Sequence, residues 1–264
     1  MKWVRFLDTV GCPLWGHVED DCIVAHSGSP LEAGHREGME RLPLETTLLL
    51  PPCTPSKIIC VGRNYRDHAK ELGNDVPSEP LLFFKPPSAL LAPGGAIVLP
   101  PLSARVDFEG ELAVVIGRRC RALQPGAAIA PYLFGFTCLN DVTARDLQKK
   151  DGQWTRGKGF DTFCPVGPWV EDWSEQKPGG RARPWESLQV ETHVNGELRQ
   201  QGNTADFIFS LDQILVAITA VMTLEPGDLI ATGTPAGVGP LTAGDRVSVT
   251  IAEIGTLENT VASA

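Results

Sequence analysis

Residues 105–117, RVDFEGELAVVIG, constrain the fold more tightly than any other stretch of the chain. Read as a strand, its side chains alternate between two faces. Val106, Phe108, Gly110, Leu112, Val114 and Ile116 share one face. Asp107, Glu109 and Glu111 share the other, which runs on into Ala113 and Val115 without a break. The far end of the strand is therefore apolar on both faces and belongs in a core. The near end carries three like charges, spaced roughly 6.6 Å apart at their Cα atoms. On a solvated edge that row is tolerable in salt. Against a core it is costly unless a cation neutralises it.

With 264 residues the chain can bury a sizeable core, as one large domain or a large and a small one. Its net charge of −9 and pI of about 5.1 argue against a nucleic-acid partner, which needs a basic surface. They do not exclude an anionic substrate, because one local cation reverses the sign of the field. The seven cysteines are scattered and none lies at C-x-x-C spacing, which fits a reduced intracellular chain. The opening MKWVRFLDTVG lacks the apolar core of a signal peptide, and no apolar run approaches the ~18 residues of a membrane span. A cytoplasmic protein with no membrane partner is expected.

Residues 1–55 read as a small β-rich module, with KWVRFL and DCIVAHS as strands, and residues 56–264 as the main domain. KIICVGRNY reads as a buried strand ending in a glycine turn. RDHAKELG has helical character and a glycine stop, and the polarity and proline content of residues 66–80 predict a lid that is disordered or open without ligand. YLFGFTCLNDVTARDLQKK begins as a strand and ends as a helix, changing near Asn140-Asp141. Asn195-Gly196 marks a hairpin, and SLDQILVAITAVMTL spaces its apolar residues as a helix does. Many short strands with few helices between them indicate an α+β, mainly β architecture: a mixed β-sandwich roll with a small N-terminal β domain.

Asp141, at the strand-to-helix junction, would ordinarily be an N-cap. Together with two glutamates it also makes an all-oxygen set. Such a set suits Mg²⁺ or Mn²⁺, with Ca²⁺ as a third hard ion, whereas zinc would recruit His or Cys.

Across roughly residues 57–261 the chain resembles the fumarylacetoacetate hydrolase family, in its branch of acylpyruvate hydrolases, oxaloacetate decarboxylases and hydroxymuconate isomerases. The resemblance is carried by GRNYRDHAKELG, LLFFKP, DFEGELAVVIG, LNDVTARDLQ, WTRGKGFDTFCPVGPWV, VNGELRQ and LEPGDLIATGTPAGVG, in family order. It implies that Glu109, Glu111 and Asp141 ligate the metal, and it leaves Asp107 to a hydrogen bond or salt bridge nearby. His68 and Glu71, at i and i+3 on one helical face, are either a surface contact or a dyad in which the carboxylate orients the imidazole. The resemblance implies the dyad. Gln148 and Lys158, unremarkable alone, become active-site groups by the same resemblance. Thr234 sits in a glycine turn that suits a carboxylate, and Arg145, Arg63, Asn64 and Lys85 complete the candidate substrate contacts.

The function so implied is metal-dependent hydrolysis of a C–C bond in a small anionic 2,4-dioxo acid. His68 would activate water for attack at C4, with Lys158 and Gln148 stabilising the oxyanion. Decarboxylation of oxaloacetate-like acids and isomerisation of hydroxymuconate-type acids use the same groups and remain open. A metal-stabilised protein with an inert site is the remote alternative. The resemblance also implies a homodimer.

Overall fold

The computed structural model describes residues 1–71, 73, 75–172 and 183–264. In chain order, the first strands are β1 (Lys2–Leu7), β2 (Pro13–Glu19), β3 (Cys22–His26), β4 (Glu37–Pro43) and β5 (Leu49–Leu50). Then come β6 (Ile58–Gly62), α1 (Arg66–Glu71), β7 (Leu81–Lys85), β8 (Leu90–Leu91), β9 (Ala96–Leu99), β10 (Val106–Phe108) and β11 (Gly110–Ile116). The middle of the chain forms β12 (Leu133–Asn140), β13 (Thr143–Ala144), α2 (Arg145–Asp151), α3 (Thr155–Lys158) and β14 (Cys164–Asp172). The last elements are β15 (Gln189–Val194), β16 (Glu197–Asn203), α4 (Leu211–Val221), β17 (Leu229–Ala231), β18 (Gly239–Pro240), β19 (Arg246–Ile251) and β20 (Gly255–Ser263).

The described residues form three sheets, as the mainly β reading expects. The largest runs β4-β3-β2-β1-β14-β12-β11-β17-β6-β7, with β5 beside β1 and β8 beside β14. A second runs β16-β15-β19-β20-β9, and a short third is β13-β10-β18. The N-terminal strands join the main sheet where Lys2 and Trp3 of β1 pair with Glu171 and Val170 of β14. The large sheet is antiparallel except where β17 lies parallel to β6 and β8 to β14.

The alternation read in RVDFEGELAVVIG holds along β11. Leu112, Val114 and Ile116 pack with Val190, Val249 and Ile251 of the second sheet and Ile214, Leu215 and Ile218 of α4. Ala113 and Val115 face the opposite way, against Ile58, Leu139, Val166 and Leu229. Helix α4 begins with a capping box between Ser210 and Gln213, which fixes its first turn. The hairpin β15–β16 turns at Asn195 (φ 53°) and Gly196 (φ 82°), the left-handed pair that a two-residue turn needs.

Two local readings are corrected. The single strand expected over 105–117 is broken at Glu109, which separates β10 in the short sheet from β11 in the large one. Asp141 does not cap α2: the N-cap is Ala144, with no side-chain cap, because Asp141 is drawn into the ion network described below. All seven cysteines are free thiols. Among the described residues no helix is long and apolar enough to cross a membrane.

Candidate active site

The break at Glu109 is held open by its neighbours. Its N–H donates to the Asn140 side chain at 2.9 Å, and its carbonyl accepts from the Asp141 N–H at 2.8 Å. The next residue must be glycine, because a Cβ on Gly110 would stand 2.0 Å from Thr192 Oγ1 of β15. These contacts place Glu109, Glu111 and Asp141 together, with one carboxylate oxygen from each within 4.8 Å of the others. All three are buried.

Cations brace the cluster. Lys85 Nζ donates to Asp141 Oδ1 at 2.6 Å, and Lys158 Nζ to Asp141 Oδ2 at 2.7 Å and Glu109 Oε2 at 2.7 Å. Arg145 donates to Glu109 Oε1 at 2.6 Å, Asp107 Oδ2 at 3.0 Å and Gln148 Oε1 at 2.8 Å. Asp107, fully buried, also accepts from Arg105, so it anchors Arg145 rather than joining the triad. Burial works to lower the Lys158 pKa, but the fields of Asp141 and Glu109 raise it above its ordinary value. Burial likewise pushes Glu109 up, and Lys158 and Arg145 overcome it to hold the carboxyl well below its usual range.

Glu111 is different. Its Oε2 accepts the Gly233 N–H at 2.7 Å, but among the described residues no cationic side chain lies within salt-bridge distance. Burial, then Asp141 and Glu109, push its pKa well above the carboxylate norm. Four buried carboxylates thus face Lys85, Lys158 and Arg145. An all-oxygen set with one unneutralised member fits a hard divalent ion.

The triad lies on a cleft of about 340 Å³. His68, Arg63, Gln148, Lys158 and Thr234 line it, as do Phe83 and Trp154, which the sequence did not point to. His68 is buried at 5% exposure, and its Nδ1 lies 3.4 Å from Glu71 Oε2. Glu71 is fixed in turn by the Gly237 N–H, at 3.1 and 3.2 Å from its two oxygens. Burial lowers the His68 pKa below 6.5, against the opposing field of Glu109, so the ring is a neutral base at physiological pH. The helical part of the expected lid is therefore docked through His68 and Ala69, while Leu72 and Asn74 lie outside the described residues.

The remaining candidates divide. Arg63 lines the cleft, adopts φ 59°, and makes no ion pair among the described residues. The Thr234 hydroxyl is committed: it donates to Gly110 O at 2.8 Å and accepts from Gln200 Nε2 at 2.7 Å. Asn64 does not line the cleft. Its amide bridges Phe209 N and O and Thr232 O, bracing the backbone behind the site. Lys85 reaches the site only through Asp141 and Val142 O. Gln200 was not singled out. It ties Gly110 N at 3.0 Å to Thr234 and Pro235, and only the VNGELRQ motif hinted at it.

Residues 57–262 match the fumarylacetoacetate (FAA) hydrolase C-terminal family, and residues 1–52 the Rv2993c-like N-terminal family. The oxaloacetate tautomerase YisK of Bacillus subtilis is 45% identical over 82% of this chain and 73% of its own. The structure of 2-hydroxyhepta-2,4-diene-1,7-dioate isomerase from Mycobacterium marinum superposes with a TM-score of 0.87. It is 40% identical and covers 100% of this chain and 98% of that one. Fumarylacetoacetate hydrolase from Exiguobacterium antarcticum superposes with a TM-score of 0.83 at 37% identity, covering 100% of both chains.

Proposed function

The chain belongs to the fumarylacetoacetate hydrolase family, and from that premise we propose that it is an enzyme that moves a proton at the carbon beside the keto group of a small 2-oxo dicarboxylic acid. Keto–enol tautomerisation of an oxaloacetate-type acid is the reading supported best. The observation that carries it is the buried His68, its Nδ1 held by Glu71 and its ring on the same cleft as the carboxylate triad. Enolisation needs a group that takes the proton from C3 while the C2 oxygen gains one, ketonisation needs the reverse, and a buried imidazole of lowered pKa suits both directions. The tautomerase relative at 45% identity supports the same reading.

Glu109, Glu111 and Asp141 would hold Mg²⁺ or Mn²⁺, which when bound supplies Lewis-acid stabilisation of charge developing on the substrate's C2 oxygen. Lys158 bonds two of the three carboxylates, Glu109 and Asp141, and holds them in line. Arg145 spends three of its five guanidinium N–H donors on Asp107, Glu109 and Gln148 and lines the cleft, so it braces the triad and keeps donors for the substrate. Arg63 is left to receive the distal carboxylate of the substrate. Stopped-flow decay of oxaloacetate enol absorbance, with and without the protein, tests the reading. No acceleration above buffer would end it.

A second reading is hydrolysis of an acylpyruvate C–C bond. It is favoured by Gln148, whose Oε1 is taken by Arg145 while its N–H₂ donates to nothing among the described residues, in the cleft. That amide suits a tetrahedral oxyanion formed when His68 delivers water to C4. Assaying acetylpyruvate and fumarylpyruvate beside oxaloacetate and a hydroxymuconate separates the readings.

Two results are expected here. Glu111→Gln retains the acceptor for Gly233 N–H but removes the unneutralised charge. Titration calorimetry should show Mg²⁺ binding lost. In chelator, Tm at pH 7 should rise by about 2–4 °C, the shift roughly 1 kcal/mol gives a domain of this size. Glu111's pKa is raised in the fold, so its penalty grows as pH climbs above the ordinary 4.5, and the gain should vanish near that pH. Unaltered Mg²⁺ affinity would remove Glu111 from the ligand set. We also propose a homodimer, associating in part through edge strand β7, where Leu81 and Phe84 are exposed. A single ~28 kDa species in sedimentation at micromolar concentration would count against it.

A further inference from the structure

The N-terminal strands carry a second group of potential ligands, remote in sequence from the carboxylate triad and different in chemistry. His17 on β2, His26 on β3 and Glu37 at the start of β4 each offer one ligand atom within 4.8 Å of the others. The register explains this. His17 pairs with Val24, two residues before His26 and on the same face, and His26 pairs directly with Glu37. Trp3 of β1, opposite His17, floors the cluster, its ring 4.9 Å from that of His26. The His35 ring lies 5.7 Å from His26, on the chain entering β4.

We propose that His17, His26 and Glu37, with His35 adjacent, bind one Zn²⁺ that staples β2, β3 and the edge strand β4 together. Two imidazoles and a carboxylate form a borderline donor set, the kind that selects zinc over Mg²⁺. Two imidazole nitrogens on one tetrahedral ion stand roughly 3.3 Å apart, at Zn–N bonds of about 2.0–2.1 Å. His17 Nδ1 and His26 Nε2 are already 2.8 Å apart. His26 Nδ1 has no hydrogen-bond partner among the described residues, so it can carry the ring proton while Nε2 offers its lone pair to an ion. Glu37 is exposed, which gives the ion a way in. Among the described residues strand β4 has no neighbour on its outer side in the sheet, and only one of its residues is not exposed, so it gains most from the staple.

The test is Zn²⁺ titration against a chromophoric chelator in excess Mg²⁺, which competes for the carboxylate triad. One Zn²⁺ per chain should be retained, with the same affinity in Glu109→Gln. Affinity should fall by about tenfold or more in His26→Gln and in Glu37→Gln. Glu37→Gln replaces an exposed side chain and keeps the fold, so a folding defect in His26→Gln would not hide the result. Zn²⁺ should also slow amide exchange across β4 in the wild type and not in Glu37→Gln. Failure to retain Zn²⁺, equal affinity in wild type and Glu37→Gln, or loss confined to Glu109→Gln would each overturn the assignment.

Discussion

Replacing His68 with alanine is expected to lower kcat/KM for enolisation of an oxaloacetate-type acid by about 10²- to 10⁴-fold, the usual contribution of a positioned acid–base group. That is roughly 3–5 kcal/mol of transition-state stabilisation. The size follows from the environment of the ring. It is buried, held neutral, and oriented by Glu71, which the Gly237 N–H fixes in turn. Among the described residues no other imidazole lines the cleft. Mg²⁺ affinity should stay nearly constant, because the triad is built by β11, the 109–110 break and the β12 end, not by α1. In the wild type the acid limb of kcat/KM should lie below pH 6.5, since the His68 pKa is lowered, and in the variant that limb should disappear. Acylpyruvate hydrolysis, where present, should fall by a similar factor, and oxaloacetate decarboxylation much less, because solvent can protonate the released enolate. Undiminished enolisation in the variant would show that another group moves the proton.

Asp228→Ala is expected to destabilise the fold by about 3–5 kcal/mol, the range for breaking a buried, hydrogen-bonded ion pair. A Tm fall of about 6–20 °C should follow in a domain of this size. Asp228 is completely buried at the foot of β17. Its Oδ1 accepts from Ser56 N at 3.1 Å, Ser56 Oγ at 2.6 Å and Lys57 N at 3.2 Å. Its Oδ2 accepts from Glu225 N at 2.8 Å and pairs with the Lys57 ammonium. Alanine strands those donors at the point where β6 and β17 meet. Asp228→Asn keeps one acceptor oxygen, while its N–H₂ meets the other set of donors, and it should lose less than alanine. Urea unfolding of both variants measures the effect, and a loss under 1 kcal/mol for alanine would show that the donors find other partners. At low temperature, where the variant is folded, KM should match the wild type, because Asp228 does not line the cleft.

What the sequence disclosed and what it hid follow from the range of the contacts. Alternation along β11, the Asn195-Gly196 turn and the periodicity of α4 are local, and each is present where the residues indicate it. The three carboxylates and the His68–Glu71 pair are legible through motif order; the structure brings the carboxylates and His68 to one cleft, with Glu71 bonded to the His68 ring. The break at Glu109 was not legible, because it is made by Asn140 and Asp141, distant in sequence and adjacent only in the sheet. The cap expected of Asp141 failed for the same reason: Lys85 and Lys158 compete for its oxygens. Asn64 sits within GRNY beside cleft residues, yet its amide serves Phe209 and Thr232. Gln200 and Asp228 are side-chain brackets onto backbone far along the chain, and such brackets leave no periodic mark.

The parallel pairing of β6 with β17 sets a timetable for synthesis. Ile58 lies beside Leu229, so one edge of β6 waits for a partner about 170 residues downstream, or roughly 10–35 s at 5–20 residues per second. β7 closes the other edge early, but IICVG is buried throughout in the finished protein and leaves the ribosome as an apolar strand with one open side. A nascent chain halted before residue 229 would hold every proposed metal ligand and still lack the strand that completes the floor beneath them. Ribosome-bound intermediates of this protein should therefore be chaperone clients, and yield in a cell should depend on holdase capacity more than on the stability of the finished fold.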